Sequence, residues 1–246
     1  MRILVCTVGE DGPARKVADN SKRLKALEDL LDRALKIRGG VDLIVLPGGY
    51  FFSPEPNPAK MPMLKQIWAA IKKRGVAVCF GIDTGHKQPL AADTVRRNRL
   101  PAFGFAWTAA DGRLGPWRQR STNHHNQRDA GQGLITEDRS FRVGAYRVAP
   151  LVCGELFNRR ILAALQTRGV NIVVDLVHTG KGFRFSGAGK YWSSAKPIKA
   201  ALMSCHAKRR EAMKCWSVGG VYRSTRKASV TVSNPVRIEG FLVSAR

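Results

Sequence analysis

The N-terminal part of the chain alternates short apolar runs with one-sided helical patterns. Residues 1–8 form an apolar run that predicts a strand, and residues 20–38 predict a helix because leucines recur at helical spacing. Further strands are predicted over 41–46 and 76–81, with a second helix over 63–74 between them. The leucines expected on one face of the first helix are Leu24, Leu27, Leu30, Leu31 and Leu35. This β-α-β-α-β order is typical of α/β proteins.

The rest of the chain changes to hairpins and then returns to a strand–helix–strand unit. A turn at Asp111-Gly112 predicts one hairpin, and two apolar segments over 141–152 predict another. A helix over 156–167 and a buried strand over 170–177 follow. The other segments are interpreted as a polar loop over 120–133, a glycine-containing loop over 182–191, a basic helix over 197–215, and strands over 216–222, 229–232 and 240–243. Because the sequence has no repeat or linker, one domain is expected over 1–246.

Composition narrows the class of protein. The longest apolar runs fall short of the roughly 18 residues that a membrane span needs, and the first residues lack the cleavage pattern of a signal peptide. The 5 cysteines are scattered, without paired metal-ligand spacing. The adjacent His124 and His125 lie in a polar segment with no further ligand at zinc spacing. We therefore expect a cytoplasmic protein, outside any membrane, with neither cofactor nor metal.

The charge is strongly positive. The chain has 42 Lys plus Arg against 18 Asp plus Glu, a formal net charge of +24. Such a field attracts nucleic acids or acidic small molecules. The basic residues are spread along the chain, however, which equally fits a generally basic solvated surface.

The most informative position is Cys153, which stands where the strand ending at Val152 meets the following helix. A strand-to-helix turn lifts a side chain out of the sheet and places it near the N–H groups and positive end of the helix. Both features favour a thiolate and the oxyanion of an acyl-transfer intermediate. The alternative is an inert buried thiol, since cysteine is among the most buried residue types.

The order of these segments resembles the nitrilase superfamily of carbon–nitrogen hydrolases. The matching features are the first strand, the leucine-rich helix followed by Val41-Asp-Leu-Ile-Val-Leu-Pro47, the hairpin arm Leu114-Gly-Pro-Trp-Arg-Gln-Arg120, and Cys153-Gly-Glu-Leu-Phe157. The resemblance implies a four-layer α-β-β-α sandwich, a small-molecule amide or nitrile substrate, and a homodimer packed through outer helices. The like-charged surface works against the dimer.

The resemblance also implies a Glu–Lys–Cys catalytic set, which this sequence retains only in part. Cys153 stands at the nucleophile position. Gly48 stands at the position of the general base, and Gln119 at that of the lysine that supports the oxyanion. A one-residue shift of the hairpin arm would place Arg118 or Arg120 there instead. The nearest carboxylate downstream of Gly48 is Glu55, beyond a proline-containing segment.

Two residues are candidates to activate the thiol in place of the missing base. His178 ends the strand that follows the Cys153 helix, so a parallel sheet would place it at the same edge as Cys153. Glu155 lies two residues beyond Cys153, where a carboxylate can instead cap the helix. Asp175 is not expected to orient His178, because strict alternation directs it to the opposite face.

Two functions follow from these residues. The first is a divergent carbon–nitrogen hydrolase or amidase in which Cys153 forms a thioester, Gly154 and an arginine stabilise the oxyanion, and His178 assists the thiol. The second is a catalytically degenerate nitrilase-like protein that binds a nucleic acid or an acidic protein, since two members of a cooperating set are lost.

Overall fold

The computed structural model describes residues 1–9, 13–85, 102–119, 138–178, 183–206, 214–218 and 222–245. Within them, the strands are β1 Arg2–Val8, β2 Leu43–Val45, β3 Phe51–Ser53, β4 Ala77–Thr84, β5 Ala102–Thr108, β6 Gly112–Arg118, β7 Phe141–Val143, β8 Tyr146–Val152, β9 Ile172–Val177, β10 Ala200–His206, β11 Lys214–Ser217, β12 Tyr222–Ser224, β13 Val230–Val232 and β14 Ile238–Ala245. The helices are α1 Ala18–Ala34, α2 Leu64–Arg74, α3 Arg159–Thr167 and α4 Phe183–Ser194, with 3-10 turns at Pro58–Lys60 and Cys153–Phe157.

The strands join into one curled sheet whose main path runs β6-β5-β4-β2-β1-β10-β9-β8-β7. The pairs from β4 through β2, β1, β10 and β9 to β8 are parallel. The hairpins β5–β6 and β7–β8 are antiparallel, as the sequence predicts. The carboxyl ends of six parallel strands therefore meet at one edge, the position at which α/β proteins place their sites.

Three hydrophobic clusters arrange this sheet and its helices in four layers. The inner faces of the two halves pack on each other, joining Val5 and Val45 to Val174 and Leu202. The outer face of the first half packs under α1 and α2. The outer face of the second half packs under α3 and α4. The α/β sandwich expected from the sequence is thus confirmed.

Helix α1 shows how the pattern determines this packing. Leu27, Leu30 and Leu31 are fully buried, and each contributes about 1.5–3 kcal/mol by leaving water. Leu35 was expected on the same face, but it lies just beyond the helix and is 52% exposed.

Two predictions for the C-terminal part are wrong. The segment 182–191 was expected to be a loop, whereas the structure has α4 there; the Trp192 indole donates a hydrogen bond to the Leu156 carbonyl and anchors the helix. The segment 197–215 was expected to be a basic helix, whereas β10 and the start of β11 occupy its described parts. Every residue of β10 is buried, so packing on both faces overrides the helix propensity of its Ala, Leu and Met residues.

Within the described ranges, no helix has the length and apolar character needed to cross a membrane.

Candidate active site

Cys153 lies at the carboxyl end of β8 in a sharp backbone turn. Its φ of 51° is the only positive value at a non-glycine residue in the described part of the chain. This region is costly for a residue with a Cβ atom, and such strain is characteristic of functional turns. The chain continues into the 3-10 turn Cys153–Phe157 before α3 begins, so the predicted helix starts later than expected.

The Cys153 thiol is surrounded by hydrogen-bond donors. The sulfur interacts with the His178 ring and accepts bonds from the backbone N–H groups of His178 and Gly154. Burial by itself would raise the pKa of the Cys153 thiol, but these bonds and the His178 charge outweigh it and lower the pKa below its usual value. The surroundings therefore favour the thiolate more than those of an ordinary cysteine do.

His178 is held between Cys153 and a carboxylate that the sequence analysis did not identify. Its Nε2 lies 2.7 Å from Oδ1 of Asp83, and the two side chains are 20% and 18% exposed. Burial would lower the pKa of the His178 ring, but Asp83 and the Cys153 sulfur raise it well above its usual value. Because Asp83 engages Nε2, Nδ1 is the ring nitrogen left for the thiol.

Asp83 was missed because the strand that carries it is longer than predicted. The apolar run suggested an end at residue 81, whereas β4 continues to Thr84 and carries Asp83 to the carboxyl edge of the sheet. Asp83 and His178 are 95 residues apart, so no local motif links them. The one available signal is a polar residue at the end of a buried parallel strand.

The buried Asp175 carboxylate lies close enough to Cys153 and His178 to interact electrostatically with both. Its carboxylate is 1% exposed, and neither oxygen has a hydrogen-bond partner among the described residues. Burial, together with the nearby Cys153 and Glu155, raises the pKa of Asp175 well above its usual value. The surroundings of Asp175 therefore favour the neutral acid over the carboxylate.

Glu155 is completely buried in an ion pair. Its Oε2 lies 2.6 Å from Nη1 of Arg139 and accepts the backbone N–H of Val152 at 2.9 Å. Arg139 in turn donates to the Arg118 carbonyl at 2.7 Å, which ties the Cys153 turn to the end of β6. The bond to the Val152 N–H favours the alternative left open by the sequence, a carboxylate that caps free N–H groups at this turn.

Apart from Glu55, the remaining predicted site residues lie at or beyond the end of β6 in the sequence. Gln119 is 5% exposed, and its backbone N–H donates to the Ala102 carbonyl at 2.8 Å. Ala102 pairs with Asp83, so Gln119 reaches the same sheet edge two strands away. Arg120, His124 and His125 lie outside the described residues. Glu55 is exposed and lies on the loop after β3.

No group of three or more His, Cys, Asp and Glu side chains in the described ranges could hold a metal ion.

Comparison with known proteins gives a likeness of fold. No protein-family profile and no curated protein sequence matches the chain. Solved structures of an amidase from Nesterenkonia sp. AN1 do match. A double mutant of that amidase in complex with acrylamide has a TM-score of 0.62 at 13% identity, over 98% of this chain and 90% of that one. The NitN amidase after tag removal has a TM-score of 0.61 at 11% identity, over 100% and 93% of the two chains.

A serine mutant of the same amidase, described as belonging to the nitrilase superfamily, has a TM-score of 0.58 at 11% identity, over 97% of this chain and 90% of that one. The chain therefore has the fold of nitrilase-superfamily amidases. At these identities the likeness defines the architecture, and the chemistry has to be argued from the residues of this chain.

Proposed function

We propose that the protein is a hydrolase of carbon–nitrogen bonds in small amides, with Cys153 as nucleophile and His178 as general base and acid. The observation that carries this proposal is the hydrogen-bonded series from the Cys153 sulfur through the His178 ring to Asp83. A nucleophile, a base within reach of it and a third group that orients the base form the arrangement that acyl transfer requires.

The reaction follows from these contacts. The Cys153 thiolate attacks the amide carbon, a C–S bond forms, and the carbonyl electrons move to oxygen. As the sulfur loses its negative charge, the Gly154 N–H that it held becomes available to this oxyanion. The oxyanion then collapses, the C–N bond breaks, and His178 transfers its proton to the departing amine.

Water completes the cycle. His178 removes a proton from water, which attacks the thioester carbon, and the C–S bond breaks to release a carboxylic acid and the thiolate. The amidase from Nesterenkonia sp. AN1 is described in complex with acrylamide and with butyramide. Those ligands suggest short aliphatic amides as the first substrates to try here.

The test is ammonia release from acetamide, propionamide, butyramide and acrylamide by the purified chain. We expect Cys153→Ala to lower the rate by about 10³-fold or more, because removing a nucleophile disables the whole set. Cys215→Ala is the matched control: Cys215 is also partly exposed, but burial raises the pKa of its thiol to about 12. Equal rates for the Cys153→Ala and wild-type proteins would refute the assignment.

Binding of a polyanion is the second candidate, and it rests on the net charge of +24 rather than on the Cys153 site. It would show as association with duplex DNA or RNA that weakens steeply as salt rises. Salt-dependent binding combined with no turnover of any amide would favour this function over hydrolysis. Turnover without such binding would favour the enzyme.

A further inference from the structure

The space beside Gly48 is filled by the His178 ring. A Cβ atom at residue 48 would lie 2.9 Å from Cε1 and 3.1 Å from Nδ1 of His178, and 2.6 Å from the Leu176 carbonyl oxygen. Contacts this short force a neighbour to move. A side chain at position 48 and the His178 ring therefore exclude each other in this arrangement.

The neighbouring Gly49 lies equally close to Asp83. A Cβ atom there would lie 2.6 Å from Oδ2 and 2.9 Å from Cγ of Asp83, and the Gly49 φ of +60° already favours glycine. Two successive glycines thus border the two partners of one hydrogen bond. Each glycine lies against a different member of the His178–Asp83 pair.

The glycine segment is fixed by hydrogen bonds rather than by side chains of its own. His206, at the end of β10, donates from Nε2 to the Gly48 carbonyl at 2.8 Å. Burial lowers the pKa of His206 to about 3, so the ring stays neutral, and the Gly48 carbonyl places its one N–H on Nε2. The Gly49 carbonyl accepts the Ala14 N–H at 2.8 Å. The backbone at positions 48 and 49 is therefore held in place against His178 and Asp83.

We infer that Asp83 is a positioning residue for His178, and that Gly48 and Gly49 keep open the space in which this His–Asp pair replaces the glutamate base of the nitrilase-type set. The inference rests on the proposed function, and it adds which element of the fold supplies the general base. The base comes from the end of β9 instead of the segment after β2, and the absence of a carboxylate at position 48 is a steric condition for the new arrangement.

The first test is the rate of Cys153 alkylation by iodoacetamide between pH 5 and 9, with the modified residue located by mass spectrometry. In Asp83→Asn the imidazolium loses its carboxylate, so the pKa of His178 falls and that of Cys153 rises. We expect the alkylation rate at pH 6 to fall by about tenfold or more, the equivalent of one pKa unit. Asp138→Asn, which removes an exposed carboxylate, should leave the profile unchanged.

Amide hydrolysis gives the second readout for the same variant. We expect Asp83→Asn to lower kcat by about 10²–10⁴-fold with KM within about threefold, as for loss of acid–base assistance. A variant that is less stable but keeps the wild-type pH profile would overturn the positioning role. If the wild-type protein hydrolyses no amide yet Asp83→Asn still shifts alkylation, the proposed reaction fails while the His–Asp pair stands.

Gly48→Ala tests the steric part. We expect its alkylation rate at pH 6 to fall to that of His178→Ala, because the added methyl displaces the ring. Gly240→Ala is the control: its Cβ would crowd the Leu4 side chain at 2.9 Å, away from the site. A wild-type pH profile in Gly48→Ala would overturn the role of the glycine. If Gly48→Ala fails to fold, Gly48→Ala/His178→Ala separates the clash with the ring from the clash with the Leu176 carbonyl oxygen: recovery of folding in the double variant would support the role of the glycine, and continued failure would overturn it.

Discussion

Replacing Glu155 with Gln should destabilise the protein by about 3–5 kcal/mol, the usual loss when one partner of a buried ion pair is removed. Arg139 is 2% exposed, so in the variant its buried charge would lose the Glu155 carboxylate that lies 2.6 Å away. Gln keeps the size of Glu and an oxygen that can still accept the Val152 N–H, which lies 2.9 Å from the carboxylate. The loss of stability in Glu155→Gln therefore measures the effect of removing the negative charge alone.

Urea and thermal unfolding measure this effect. For a chain of this length, 1 kcal/mol corresponds to roughly 2–4 °C, so the melting temperature should fall by about 6–20 °C. Glu239→Gln is the matched control, because Glu239 pairs with Arg237 at 2.5 Å on the surface, where the two side chains are 22% and 55% exposed. We expect that substitution to cost about 0–1 kcal/mol.

A second variant separates charge from packing. Glu155→Gln/Arg139→Met removes both charges, and we expect it to recover most of the stability lost in the single variant. If Glu155→Gln is no less stable than Glu239→Gln, the buried pair does not fix the Cys153 turn. A large fall in amide hydrolysis without any fall in stability would instead return Glu155 to the role of catalytic base.

Three further changes have expected outcomes. The pKa of His206 is depressed to about 3, so below pH 6.5 the unfolded chain binds a proton first and the wild type loses about 1.4 kcal/mol of stability per pH unit. His206→Gln should abolish this loss, which urea unfolding from pH 4 to 7 measures. Burial raises the pKa of Asp175, so this residue makes the wild type lose stability as pH rises above about 4, the opposite direction to His206. In Asp175→Asn the same urea titration should show a smaller loss of stability with rising pH. Asn158→Ala should cost about 1 kcal/mol in thermal unfolding, because the Asn158 side chain accepts the Arg160 and Ile161 N–H groups at the start of α3.

The sequence was sufficient to predict the parts of the fold in which local pattern and tertiary environment agree. The opening strands and helices, both hairpins and the Cys153 turn lie where the apolar periodicity indicates. Two segments after residue 180 were predicted wrongly, because there local pattern and tertiary environment disagree, whereas the final strands β13 and β14 were predicted correctly. Glycines suggested a loop over what is α4, and Ala, Leu and Met suggested a helix over what is β10. In both cases burial against neighbouring elements decides the structure.

The residues of the candidate site were likewise predicted only where a local pattern indicates them. Cys153 and His178 could be proposed because each ends a recognisable strand, and the shared edge of a parallel sheet brings such residues together. Asp83 could not, since its strand continues past a glycine and its partner is 95 residues away. The sheet curls so that the end of β4 faces the end of β9. The close contact between these two strand ends depends on packing of the inner faces of the sheet, which cannot be predicted from any local sequence pattern.

The absence of glutamate and lysine from their expected positions has a common physical reason in this arrangement. In the proposed site the His178 ring fills the volume beside Gly48, so a glutamate side chain there would clash with it. A cation at residue 119 would stand two strands from Asp83, roughly 10 Å across the sheet. It would compete with His178 for that carboxylate and repel the imidazolium, which lowers the pKa of a histidine. An uncharged Gln119 avoids both effects. Gly48 and Gln119 are therefore compatible with the proposed Cys–His–Asp site, and their presence does not by itself argue for loss of catalysis.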